Sequence, residues 1–235
     1  YGAKLPIDEV FVNYGGGALN VAVGIKNFGL NVAPMVRVGN DQVGKEIYSH
    51  LKKQKISTAL IEVDKKEKTG FSIIMAAAAD KEHTIFTHKG ATSFLEVRNL
   101  REFRTKWFCV SALSNKNWAA EFDMITRQCK RNVKIAWNPG VIQLRNVKML
   151  VYFLKFVEVL LVNKDEAIEI VKRLKPKTPN TKLNNAKFLL KELRDLGPKK
   201  VVITQGGRGA VAQDELDKYY YLPAQSKKKR IVDTV

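Results

Sequence analysis

No apolar stretch in this chain approaches the roughly 20 residues that a helix needs to cross a bilayer. The most apolar window, Met149 to Val162, is interrupted by Lys155 and Glu158. The chain opens on a polar segment without an apolar h-region, so no signal peptide is read there. Cysteine is scarce: Cys109 and Cys129 are the only two, and they carry no metal or redox spacing. These features point to a reduced, cytoplasmic setting and away from a disulfide scaffold. His50, His83 and His88 have no Asp or Ser partner at a telling position, which sets aside nucleophilic-triad and zinc chemistry. His83 and His88 read instead as surface or lid residues. Internal repeats and long linkers are also missing, so residues 1–235 read as a single domain of α/β size with ample material for a core.

Acidic residues are few beside basic ones, 23 against 41, and the net charge is +18. The excess is spread along the whole chain and is not interleaved with aromatic residues in a stacking pattern. Its one dense run, Lys227-Lys228-Lys229-Arg230, lies between short apolar segments and reads as a solvated turn. Neither nucleic acid nor a membrane is therefore the expected partner. A basic surface also attracts ATP and phosphorylated substrates, so charge alone does not choose among functions.

Short β-branched runs alternate with amphipathic segments, the pattern of a largely parallel α/β sheet. Core strands are predicted at Val32–Val38, Trp107–Ser111, Lys134–Trp137, Val157–Val162 and Lys200–Thr204, with helices near 43–54, 116–131, 165–174 and 183–196. The last has apolar spacing at Leu183, Ala186, Leu190, Leu193 and Leu196 and stops at Gly197-Pro198. Two regions break the alternation. Residues 1–14 look extended, and 59–91 read as strands without helices: Leu60–Val63, Phe71–Ala76 and His83–His88. Turns at Asp64–Lys68 and Asp80-Lys81 favour antiparallel pairing. A small β-sheet inserted in an α/β core (15–58 and 92–235) is expected to be a lid.

Gly15-Gly16-Gly17-Ala18-Leu19-Asn20 precedes an amphipathic helix. Three glycines pack nothing, and are kept where backbone must bend through positive φ or press against a ligand. Asn20 adds a donor and an acceptor in the first turn, which suits a polyol; a tight turn with a helix cap is the alternative. Gly39-Asn40-Asp41-Gln42-Val43-Gly44-Lys45 fits the first seven residues of a P-loop, but Glu46 stands where Ser or Thr should bind magnesium. Two carboxylates there would repel phosphates, so the segment reads as a strand-to-helix turn. Asn163-Lys164-Asp165-Glu166 opens a helix after a strand. Asn163 and Glu166 share a face, either as a capping pair or as a carboxylate site that holds magnesium through water. Thr204-Gln205-Gly206-Gly207-Arg208-Gly209 is either a glycine-rich connection or a set of amides free to face a nucleotide. In Asn138-Pro139-Gly140 the last two make a turn, and Asn138 is placed to reach a ligand.

The order of these motifs resembles the ribokinase-like, or pfkB, family of carbohydrate kinases. Gly16 to Gly39 fits that family's N-terminal signature, Thr69-Gly70 and Lys89-Gly90-Ala91 look like its lid segments, and the resemblance covers essentially the whole chain. Thr92 stands where an Asn is common, and Gly17 replaces a Lys common in the ribokinase version, which weakens ribose as the substrate. The resemblance implies a three-layer αβα core with a mostly parallel sheet and a β lid. It also implies transfer of the ATP γ-phosphate to a hydroxymethyl group of a sugar or nucleoside, and a homodimer through the lid. Gly15, Gly16, Gly17, Asn20 and Asn138 would contact the substrate, and Asn163 and Glu166 would organise Mg2+ and the phosphates. Thr204, Gly206, Gly209, Asp233 and Thr234 would line the nucleotide site, the last two beginning an anion hole. The family's catalytic Asp follows that point, beyond Val235, and its first core strand would precede Tyr1. The chain therefore reads as a fragment without the catalytic base, inactive by itself. A non-catalytic sugar- or nucleotide-binding module is the alternative.

Overall fold

The computed structural model describes residues 7, 9–76, 83–98, 100 and 103–225. They fall in two compact units, Tyr1–Leu95 and Glu96–Val235.

In the first unit, helix α1 (Gly17–Asn27) follows the glycine run and turns Leu19 and Ala22 inward. Strand β1 (Val36–Gly39), helix α2 (Gln42–Lys53) and strand β2 (Ile61–Asp64) form a strand–helix–strand crossover. Leu19 and Ala22 meet Leu51 of α2 and Ile56 in one apolar cluster, against which Val36, Ile47 and Ile61 also pack. Strand β1 is shorter than Val32–Val38, and Pro34, which lacks an N–H, stands outside it. Of the segment 1–14, residues 7 and 9–14 form no strand.

One expectation is corrected here. The strand near Leu60–Val63 does not join the antiparallel lid; β2 pairs in parallel with β1, Val36 opposite Ile61 and Gly39 opposite Asp64. The α2 crossover brings the chain back in the same direction, as parallel pairing requires. The Asp64–Lys68 segment is accordingly no hairpin turn. The Asp64 carboxylate accepts from the Lys66 and Glu67 amides and steers the chain out of β2. The remaining two predicted strands, β3 (Phe71–Ala76) and β4 (His83–His88), form the small antiparallel sheet, with Ile73 opposite Phe86.

The second unit holds a six-stranded sheet. Its strands are β5 (Trp107–Val110), β6 (Lys134–Trp137), β7 (Val159–Asn163), β8 (Lys200–Thr204), β9 (Ala210–Gln213) and β10 (Tyr219–Leu222). They lie in the order β10-β9-β8-β7-β6-β5; β5 to β8 are parallel and β9 and β10 antiparallel. The helices are α3 (Trp118–Thr126), α4 (Val141–Arg145), α5 (Val147–Leu154), α6 (Lys164–Leu174), α7 (Asn180–Leu183) and α8 (Ala186–Arg194). The predicted helix 183–196 is divided because the Asn185 carboxamide caps a new start at the Lys187 and Phe188 amides. The helix at 116–131 ends early, its last turn tightening into 3-10 geometry before Asn132 takes a left-handed conformation. The apolar window at 149–162 is the end of α5 followed by β7, which bury Leu150, Phe153, Leu154, Leu160 and Val162.

Trp118, Phe122, Trp137 and Phe153 form an aromatic centre, with Phe122 and Trp137 rings 4.2 Å apart. Ile135, Leu160, Ile170, Leu190 and Ile203 extend the core along the sheet. This is a mixed α/β fold with a mostly parallel sheet and a small antiparallel one. Among the described residues no helix is long and apolar enough to cross a membrane.

Candidate functional site

Gly16 is the N-cap of α1 at φ 91°, and its carbonyl accepts the Asn20 amide. A Cβ on Gly16 would meet no atom within 4 Å, so glycine is required by the backbone angle and not by crowding. The turn is exposed and no side chain caps it; Asn20 is exposed beside it, while Leu19 is buried and fixes the helix. The predicted substrate residues Gly15, Gly16, Gly17 and Asn20 thus form one open polar surface of backbone groups and a carboxamide. Gly39 to Lys45 is no phosphate loop: Asp41 caps α2, its carboxylate accepting the Gly44 amide that a phosphate would need.

Of the other predicted residues, Asn138, Asn163 and Thr204 lie in the second unit at the carboxyl ends of three successive parallel strands. Asn138 follows β6, donates its amide N–H to the Val110 carbonyl and its Nδ2 to the Leu161 carbonyl at 2.9 Å. Among the described residues no donor is bonded to its Oδ1. The turn behind it is built by Gln143, fully buried, which accepts the Gly140 amide and donates to the Leu113 carbonyl. Gln143 gave no signal in the sequence, because its partners are a turn and a loop 30 residues upstream.

Asn163 ends β7 and stands opposite Thr204, the last residue of β8. Asn163 and Glu166 form a reciprocal capping box, each side chain accepting the other's backbone N–H at 2.8 Å. The capping alternative is therefore realised, and among the described residues it leaves one Glu166 carboxylate oxygen without a hydrogen bond. Burial pushes the Glu166 carboxyl above its usual range, aided by the Glu169 and Asp165 charges and opposed by the Asn163 amide. A cation at that oxygen would relieve this local excess of negative charge.

After Thr204 the chain turns through Gly206 to Arg208 into β9, the Gln205 amide donating to the Gly209 carbonyl. Gly206 and Gly209 have φ of 57° and 87°, and a Cβ on Gly209 would collide with the Leu222 carbonyl. Asp233 and Thr234 lie outside the described residues, as do the Lys227–Arg230 run and the Asp80-Lys81 turn. His50 packs against the Tyr14 ring and His88 against the Phe71 ring, both pairs tilted.

Three comparisons bear on this arrangement. A family model described as pfkB family carbohydrate kinase matches residues 4–235. The chain is 26% identical over 206 residues to a ribokinase of Haemophilus influenzae, covering 84% of this chain and 62% of that relative. It thus spans less than two thirds of the length of the curated relative it matches. Among solved structures it resembles a nucleoside kinase of Burkholderia thailandensis in complex with inosine (TM-score 0.76, 17% identity, 93% of this chain and 68% of that one). It also resembles a ribokinase of Cryptococcus neoformans in complex with ADP (TM-score 0.75, 22% identity, 98% of this chain and 76% of that one). At these identities the structural likeness establishes the fold.

Proposed function

Because this chain belongs to the pfkB family of carbohydrate kinases, we propose that it acts in an ATP-dependent kinase that phosphorylates a hydroxymethyl group of a sugar. The observation that carries the reading is the convergence of Asn138, Asn163 and Thr204 at the carboxyl ends of β6, β7 and β8. Ligands of open α/β sheets bind at those ends. Gly15, Gly16, Gly17 and Asn20 in the first unit would offer amides and a carboxamide to sugar hydroxyls, and Asn138 in the second unit would offer its own carboxamide to the substrate. Thr204, Gly206 and Gly209, with Asp233 and Thr234, would face the nucleotide.

Glu166 fits a largely hydrated magnesium ion. Among the described residues one of its carboxylate oxygens carries no hydrogen bond, which suits an ion that keeps most of its waters. Bound there, the ion would neutralise phosphate charge. Asn163 would hold Glu166 in place through the capping box. In the transfer, the sugar oxygen bonds to the γ-phosphorus, the bridge to ADP breaks, and the hydroxyl proton leaves to a base.

The likeness to a nucleoside kinase solved with inosine favours a second reading, a nucleoside acceptor at the same site. We also propose a homodimer through the β3–β4 hairpin, where Phe71, Ile73, Ile74, Met75, Ile85 and Phe86 are exposed. The intact gene product, given ATP, magnesium, and D-ribose, D-fructose, adenosine or inosine in turn, tests the activity by phosphorus NMR. A phosphomonoester together with ADP is expected, and the acceptor that yields it separates sugar from nucleoside. Calorimetric binding of sugar or ATP without any phosphomonoester would overturn the kinase reading in favour of a binding module.

A further inference from the structure

The segment that imitates a P-loop has a different task. Asp41 and Thr69 are 28 residues apart and share two hydrogen bonds. Asp41 Oδ2 accepts the Thr69 amide at 2.8 Å, and Oδ1 accepts the Thr69 hydroxyl at 2.6 Å. The Thr69 hydroxyl oxygen in turn accepts the Gly39 amide at 2.9 Å, and Asp41 Oδ1 also accepts the Gly44 amide at 2.9 Å. Thr69 is buried, and it directly precedes Gly70 and β3. The other root of the hairpin joins the same knot, since the Ala91 amide donates to the Lys68 carbonyl at 2.8 Å.

Glycines make this approach possible. A Cβ on Gly39 would strike the Thr69 amide, one on Gly44 the Gly39 carbonyl, one on Gly70 the Lys89 carbonyl, and one on Gly90 the Lys68 carbonyl. Backbone therefore lies on backbone at both hairpin roots and at the turn between β1 and α2. A second carboxylate steadies the intervening loop: Asp64 binds the Arg37 guanidinium, which also donates to the Phe94 carbonyl.

The β1–α2 turn is tied to the glycine turn of α1 through one apolar cluster, in which Leu19 and Ala22 meet Leu51 and Val36 packs against them. We propose that Asp41 and Thr69 are positioning residues, a hydrogen-bonded latch that sets the β3–β4 hairpin relative to the Gly15–Asn20 turn. This rests on the reading of that turn as the acceptor site of a kinase. Neither residue touches the acceptor; each acts through the hairpin. Asp41→Asn places an NH2 group against an amide donor, and Thr69→Val removes the hydroxyl that links Gly39 to Asp41. Thr69→Ser keeps it.

The test compares these three variants of the intact gene product, checked for cooperative melting, by kinetics and by amide hydrogen exchange. D41N and T69V are expected to raise the acceptor KM at least fivefold, with the KM for ATP changed less than twofold. Exchange at 71–76 and 83–88 should quicken at least tenfold, and T69S should restore both readouts to within twofold of wild type. A purely structural role would lower the melting temperature and leave the acceptor KM and hairpin exchange unchanged, which would overturn the proposal. If the wild-type protein phosphorylates none of the four acceptors named above, the kinase reading falls while hairpin exchange alone still decides the latch.

Discussion

Glu158 directly precedes β7, almost out of contact with water, and three lysines surround it. Burial pushes its carboxyl up, but the Lys199 hydrogen bond and the charges of Lys199, Lys134 and Lys200 outweigh this and hold it below the usual value. A carboxyl with a lower pKa folded than unfolded contributes stability that is fully present above its unfolded value, 4.5. That contribution is lost as pH falls through the lower folded value. Glu158→Gln is expected to cost about 1–2 kcal/mol at neutral pH and to reduce the loss of stability on acidification to about pH 3.5. Urea unfolding at the two pH values checks it; equal acid sensitivity in both proteins would remove Glu158 from the account. The glycines differ in the same local way. Gly209 has a positive φ and the Leu222 carbonyl in its path, whereas a Cβ on Gly207 meets nothing within 4 Å. Gly209→Ala should destabilise by about 1–3 kcal/mol and Gly207→Ala by less than about 0.5 kcal/mol, measured in the same assay.

The start of α6 separates two roles that the sequence Asn163-Lys164-Asp165-Glu166 left superimposed. The capping box needs an acceptor at position 166, while a magnesium site needs a charge there. Glu166→Gln keeps an acceptor for the Asn163 amide and discards the charge. We expect its unfolding free energy to stay within about 0.5 kcal/mol of wild type, while the magnesium needed for half-maximal turnover rises about tenfold. Asn163→Ala should instead cost about 1 kcal/mol through the lost cap. If E166Q needs no more magnesium than wild type, capping is the whole role of that carboxylate. Helix α6, strands β6 and β8 and the hairpin β3–β4 were legible as elements because periodicity, caps and β-branched runs are encoded among neighbours. The parallel pairing of β2 was not, since it depends on where α2 delivers the chain. The division of the helix before Ala186 depended on one carboxamide competing for the helix start.

The hairpin exposes several large apolar residues, and they bear on assembly. Ile73 and Phe86 are cross-strand partners, each more than half exposed at 53% and 54%. The doubly substituted Ile73→Glu, Phe86→Glu protein is expected to sediment as a monomer at micromolar concentration where the wild type sediments as a dimer, with both melting cooperatively. A wild-type monomer would end the dimer proposal. Composition, the order of the glycine, Asn138, Asn163 and Thr204 motifs, and their place at element ends were readable along the chain and sufficed for the fold class and the family. Folding added what neighbours in sequence cannot encode. It set Asn163 opposite Thr204, Asn138 against the Leu161 carbonyl, and Asp41 against Thr69, 28 residues away. Each of those contacts joins segments brought together by burial of the apolar faces between them, so its geometry exists only once the core has formed.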